Sequence, residues 1–497
     1  HLVDAKFDSR TAESEGKHGA DDSERVSRYL RAVCLLCAAD RHPGATQRLL
    51  PDGINWDQVT ATVLQEIYEN PAEFKAAREL LQPAASEIHL PLRNLILNAK
   101  TLLPQRDLAI SLLGELLHDS PEGLADLICL VDHTTIRLVN RHVERLQAQL
   151  APYLLAELQQ TVEVPTESGQ NQPDELRIAL ATNFTRLQSQ AARRKAMAAA
   201  WLARIGHADA VWPLLRKQSD SSLRYVLTDC LLAVDCDADA ILDRLVSSFP
   251  SSPVETWSRE RIRSMNSWSD PAVISEVQML ILVCGDLAAA DSLSLRHGEL
   301  ESMLSALFLL HPDSGIHSAC EWSLRSMGLS HKLAELQTQL ANSEPTDDRD
   351  WYTTRQGSAM AVVRGPVAFQ SGSAWTDPDR LAHRLVDPVT ARVTNTDQEP
   401  LLRRTIDRDF AVGLKEVTFR EFLLFDPSYN EHIQKSTSPT LEHPANRIHW
   451  YLAAQYCNWM NEQEGLDQSE WCFLPNKEGL YAEGMTLAEI TCIAVGI

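Results

Sequence analysis

Apolar residues recur at helical spacing from about residue 23 to residue 340, and strand-like alternation is nearly absent from that stretch. "DDSERVSRYLRAVCLLCAA" (21–39) opens with Asp and Ser, types that cap helix N-termini, and then repeats apolar positions three and four apart. "NWDQVTATVLQEIYEN" (55–70) and "PAEFKAARELLQ" (71–82) follow the same pattern, with Pro71 suited to a first helical turn. "RDLAISLLGELLHDSPEG" (106–123) predicts a helix closed by a turn cluster. A polar break with two prolines, "TVEVPTESGQNQPD" (161–174), separates this block from a loosely repetitive one. There "WPLLRKQSDSSLRYVLTDCLLAV" (212–234) reads as helix, turn, helix, whose Leu, Val and Ala would face neighbouring pairs. That is how an α-solenoid of HEAT kind is built, each pair covering the apolar face of the last. An irregular helical bundle is the alternative.

The pattern changes after a second polar stretch, "NSEPTDDRD" (342–350). "SAMAVVRGPVAFQSGS" (358–373) alternates as a strand, turns at Gly365-Pro366 and continues as a short strand. The predicted organisation is therefore a disordered segment (1–22), a helical region (23–161), a linker (162–174), HEAT-like repeats (175–341), a linker (342–350) and an α+β domain (351–497).

Composition narrows the function classes. With 497 residues, 44% hydrophobic and 23% charged, the chain is long enough for several ordinary globular domains. A net charge of −22 argues against nucleic-acid binding, which needs clustered cations, and against anionic membranes. Residues 1–25 carry no apolar targeting core. "VQMLILVCGDLAAA" (277–290) is too short for a span and contains Asp286, so it reads as a buried helix. A cytoplasmic protein is the default expectation. Ten cysteines in this length are no disulfide scaffold. Cys34 and Cys37 form C-x-x-C inside an apolar helical stretch and read as buried helix residues, with metal or redox chemistry the alternative. His317 and Glu321 stand i, i+4, a metal-ligand spacing, but with no third ligand nearby they read as a solvated or cap-adjacent pair.

The last third resembles a known family, through motifs in a particular order. Phe369-Gln370-Ser371-Gly372-Ser373 stands where the family has F-x-M-G-S, with Ser371 for Met. Phe410 through Glu416-Val417-Thr418 to Phe422 and Phe425 matches its E-V-T segment. Pro444, Ile448-His449-Trp450, Ala454, Tyr456-Cys457 and Trp459 match its tryptophan-rich helix. The family is the sulfatase-modifying-factor, or formylglycine-generating, domain, a variant of the C-type-lectin-like fold, and the resemblance covers about residues 351–489. It implies an α+β domain in which 447–465 is the central packing helix. The residues themselves read the same way: Thr418 can cap the helix that follows it, and Cys457, at helical spacing with Trp450, Ala453-Ala454 and Trp459-Met460, reads as a packed core thiol, an oxidase nucleophile being the alternative. In intact members the resemblance implies a copper-dependent oxidase acting on a Cys of a sulfatase peptide, with structural calcium. The oxidising cysteines and calcium ligands of that site lie downstream of the matched motifs, and neither Cys472 nor Cys492 replaces them. No catalytic, cofactor-binding or metal-ligating residue is therefore assigned here. The tail Glu489–Ile497 suggests a shifted reading frame. The order of domains also resembles planctomycete-type bacterial proteins in which a Ser/Thr kinase precedes such regions; this sequence has no kinase motifs, and His1 in place of Met leaves room upstream for one. The expectation is a non-catalytic scaffold binding protein partners through its helical repeats, the alternative being a fragment of an oxidase or of a multidomain kinase.

Overall fold

The structure, a computed structural model, describes residues 55–98, 100–162, 174–217, 222–264, 270–341, 349–373, 382–386, 393–397 and 401–487. The segment 1–22, Cys34, Cys37, most of both linkers, Cys492 and the tail after 487 lie outside these residues. The chain is mostly helical, with a smaller sheet-containing part toward its C-terminal end. It divides into two compact units. The first holds the described residues up to Val162 together with 190–213 and 222–236; the second holds 174–189, 214–217 and the described residues from Asp237 onward.

In the first unit, α1 (Trp56–Glu69) begins where Asn55 accepts a hydrogen bond from the Gln58 amide at 3.1 Å. After α2 (Phe74–Leu81) and α3 (Ala85–Leu97) comes α4 (Leu103–Leu116), and α1, α3 and α4 pack together. Leu64, Ile67, Leu92, Ile110 and Leu113 fill their contact. α5 (Pro121–Leu130) is capped by Ser120, whose hydroxyl accepts from the Gly123 amide. It packs on α6 (Asn140–Gln159). The later half of α7 (Asp174–Arg204) buries every residue from Ala196 to Leu202, and α8 (Ser222–Ala233) adds Leu227 and Leu231 to this unit's core. Small alanines there let helices approach closely, and Trp201 fills the remaining space.

In the second unit, α9 (Ala238–Val246) starts at the Asp237 cap, and α10 (Arg259–Arg263) precedes α11 (Pro271–Ala289). Among the described residues α11 is the one helix long and apolar enough to cross a membrane. Val277, Leu280, Ile281, Val283 and Cys284 on it are nonetheless buried, and it packs against α9 and α13 (Ser314–Ser326), as the buried-helix reading expects. Gly285 makes the closest approach: a Cβ there would lie 2.5 Å from the Cβ of Ser323. The Ser323 hydroxyl donates to the Ile281 carbonyl at 3.0 Å across the same contact. α12 (His297–Leu310) and α14 (Ser330–Ala341) complete the packing around α13.

Beyond residue 350 the strands are short. β1 (Trp351–Thr353), β2 (Ala359–Val363) and β7 (Phe410–Gly413) form an antiparallel sheet in the order β1-β2-β7, with Val363 opposite Phe410. β3 (Val367–Ser371) pairs with β6 (Leu402–Ile406), and β4 (Ala382–Val386) with β5 (Val393–Asp397). The turn at Gly365-Pro366 thus sends consecutive strands into different sheets instead of closing a hairpin. α15 (Phe419–Phe425) starts with a capping box: Thr418 accepts from the Glu421 amide, and the Glu421 carboxylate accepts from the Thr418 amide at 2.7 Å. Phe419 and Phe422 then meet Tyr429 and Tyr456 in an aromatic cluster. α16 (Trp450–Gln463) supplies Tyr456, and β8 (Phe473–Leu474) and β9 (Thr486–Leu487) close the described chain.

Candidate functional site: a buried histidine where helices meet the sheet

His317 and Glu321, spaced i, i+4, are both in α13. Asp313 caps this helix, accepting from the Ile316 amide at 2.9 Å. The pair is not solvated. His317 is 1% exposed, because its ring lies between Phe308 (centroids 4.2 Å apart) and Trp351 (3.7 Å). Its Nδ1 is 2.8 Å from the Phe308 carbonyl, which fixes the proton on Nδ1 in the neutral ring. Nε2 is enclosed without a hydrogen-bond partner among the described residues. Burial pushes this imidazole down to about 4.

Around that stack two hydrogen bonds tie the start of β1 to the helices. The Trp351 indole N–H donates to the His311 carbonyl at 2.9 Å, and the Asp350 amide donates to the Pro312 carbonyl at 2.9 Å. The Arg349 guanidinium covers the other side of Trp351, 4.2 Å from its ring. His311 is wholly buried; its ring accepts from the Asp313 amide, and burial lowers it to about 3. One turn after His317, Glu321 meets Arg325 at 2.8 Å and Lys415 at 3.2 Å. Burial alone would raise its carboxyl; Lys415 and then Arg325 outweigh that and hold it below the usual carboxylate range. The i, i+4 spacing is therefore an anchor: one residue stacks on the sheet's tryptophan, the other pairs with a lysine just after β7. The missing signal was Trp351, remote in sequence and ordinary in its local pattern.

Four buried cysteines and two buried carboxylates of the helices are also occupied structurally. Burial raises the Cys284 and Cys230 thiols to about 12, and raises Cys129 and Cys320 further. Cysteines so placed behave as small apolar side chains. Glu276, 2% exposed, is held by Arg216 at 2.8 Å and by Arg244. Glu157 in the first unit is held by Arg194 at 2.6 Å. Neither carboxylate stood out in the sequence, since each partner lies more than thirty residues away.

In the α+β part, the residues that carry the family resemblance divide. Thr418, Phe419, Phe422, Ala454 and Tyr456 are buried, whereas Trp450 is 50% exposed. Cys457 is half-buried, so the expectation of a core thiol is corrected: Ala454 and Asn458, one turn apart, take the most enclosed face. Arg408 Nη2 lies 3.2 Å from the sulfur of Cys472, which is also half-buried. A guanidinium in that position opposes a second cation, so these thiols do not suit the copper that the resemblance implies for intact members. Among the described residues no three His, Cys, Asp or Glu side chains gather as a metal site. Compared with known proteins, the chain matches no family model, no curated protein and no solved structure.

Proposed function

We propose that this chain is a non-catalytic interaction protein: its helical part, the region before the HEAT-like repeats included, offers the binding surface, and a domain of the sulfatase-modifying-factor type serves as a second binding or scaffold module. The carrying observation is an apolar edge on an otherwise packed helical block. Leu90 and Leu97 stand two turns apart on α3, and Leu102 and Leu103 follow in the turn into α4, between 54% and 67% exposed. Leucines bunched outside a filled core mark surfaces that another protein covers. The second support is chemical. The imidazole of His317 is closed between two rings, and the helical thiols are held protonated by burial, so these groups serve packing.

The test has two arms. Full-length chain carrying Leu97→Glu and Leu103→Glu should unfold at the wild-type temperature yet lose the proteins that wild type captures from its own cells. Oxygen uptake with a Cys-containing peptide and added copper should stay at background. Capture unchanged by the substitutions, or turnover of the peptide, overturns the reading; turnover would favour an oxidase.

A further inference from the structure

Three elements of the α+β part bring two cysteines and an arginine together. Cys457 lies in α16, Cys472 immediately before β8, and Arg408 in the turn between β6 and β7. Neither thiol is in a disulfide, and both residues are half-buried. The Arg408 guanidinium donates to the Cys472 sulfur at 3.2 Å. That turn is held in place from the β2–β3 side. The Gly365 amide donates to Asp409 Oδ1 at 2.8 Å, and Arg364 meets Asp409 Oδ2 at 3.2 Å. Gly365 lies so close to the Arg408 backbone that a Cβ would collide with it. The strand that follows Cys472 is held from the other side: Asn458 donates to the Phe473 carbonyl at 2.6 Å and to the Tyr481 hydroxyl at 2.7 Å. Asn458 is the residue after Cys457, and burial and then the neighbouring Cys472 sulfur push the Cys457 thiol up. A cation at hydrogen-bond distance from one sulfur, with a second, protonated sulfur alongside, is an asymmetric arrangement. It differs in kind from the enclosed cysteines of the helices.

We propose that Cys457 and Cys472 are a peroxide-sensitive dithiol, with Cys472 the attacking sulfur and Cys457 the resolving one. The Cys472 thiolate attacks one oxygen of hydrogen peroxide; the O–O bond breaks, hydroxide leaves, and sulfur is oxidised to sulfenic acid. The Cys457 sulfur then displaces the hydroxyl, its proton leaving with it as water, and an S–S bond forms. Hydrogen peroxide is the two-electron oxidant and is reduced to water and hydroxide. Arg408 is a positioning residue that keeps the attacking sulfur oriented and charge-compensated.

The experiment uses the reduced full-length chain, hydrogen peroxide, alkylation of the remaining thiols, and peptide mass spectrometry. The expected product is a linked pair of peptides containing Cys457 and Cys472, two hydrogens lighter, formed while Cys284 and Cys320 stay alkylatable after denaturation. In Cys457→Ser, Cys472 is trapped as sulfenic acid by a dimedone probe. In Cys472→Ser, Cys457 stays a thiol. Arg408→Gln slows Cys472 oxidation about tenfold, the effect of losing one charged hydrogen bond. Should Arg408→Gln lose its near-UV circular dichroism, Arg408→Lys, which keeps the charge, decides by oxidising near the wild-type rate. Free thiols at both positions after peroxide, oxidation of Cys457 in the absence of Cys472, or an Arg408→Gln rate equal to wild type each overturn the proposal.

Discussion

Within the second unit, residues 237–341 and residues 349–487 are built by different means. The helices bury apolar side chains on nearly every turn, so that α11 alone encloses Val277, Leu280, Ile281, Val283 and Cys284. Among its described residues the sheet-containing part buries Trp351, Ala359, Phe419, Phe422, Tyr429, Ala454, Tyr456 and Phe473, while Val412, Leu424, Trp450 and Leu480 are at least half exposed. Its strands fall into one sheet of three and separate pairs. Isolated pairs of short strands are marginal by themselves. Order in this part therefore leans on specific anchors, of which the Trp351–His317 stack is the most enclosed, whereas the helices are stabilised by the sum of many small contacts.

The largest expected contrast is in proteolysis. Limited digestion of the full chain should cut within 349–487 first and leave a resistant product spanning α11–α14; a resistant C-terminal product instead would reverse the comparison. Next, Trp351→Ala removes a buried indole and its bond to His311 and should cost about 3–5 kcal/mol. Hydrogen exchange should show the loss in β1 and β2, with α11 protected as before. A loss spread evenly over both parts would mean that they unfold as one.

Acid should act on the same anchor. His317 and His311 stay neutral when folded down to about 4 and about 3, whereas in the unfolded chain each protonates below about 6.5. The unfolded state thus binds more protons between those limits. Stability is full above pH 6.5 and falls as the pH drops toward 4, by about 3 kcal/mol for His317 alone. Glu321 adds to the loss once its carboxyl protonates below the usual range. Denaturant unfolding in steps from pH 7 to pH 4 measures this, and His317→Gln should flatten the profile.

Two smaller effects separate the parts. Gly285→Ala forces a methyl against Ser323 in the helices and should cost about 1–3 kcal/mol without altering exchange in α15. Thr418→Ala removes one half of the capping box and should cost about 1 kcal/mol, read as faster exchange at the start of α15.

Much of this was legible. The helices of 55–159 follow the apolar periodicity, the two strands within 358–373 appear where alternation predicted them, though in different sheets, and Thr418 caps as its motif implied. The i, i+4 pair was visible as spacing but not as an anchor, because its partners Trp351 and Lys415 come from 34 and 94 residues away. Glu276 and Glu157 were invisible for the same reason: a carboxylate in a helical pattern looks solvated until an arginine from another helix reaches it. Cys457 looked like an ordinary packing residue and Cys472 carried no signal of a partner, since neither sulfur's neighbours can be read from its own segment.

The sequence by itself determined that helices give way to strands near residue 350, because periodicity, caps and turn residues act over a few neighbours; it did not fix every element, since Trp212–Leu215, read as a helix, is a single 3-10 turn. It also determined the acidic surface and the apolar character of α11. Only the tertiary structure decided which polar groups are buried, which helix face meets the sheet, and which arginine lies against which sulfur. Those depend on contacts between distant segments, where the missing Cβ at Gly285 or Gly365 decides whether two segments can approach at all.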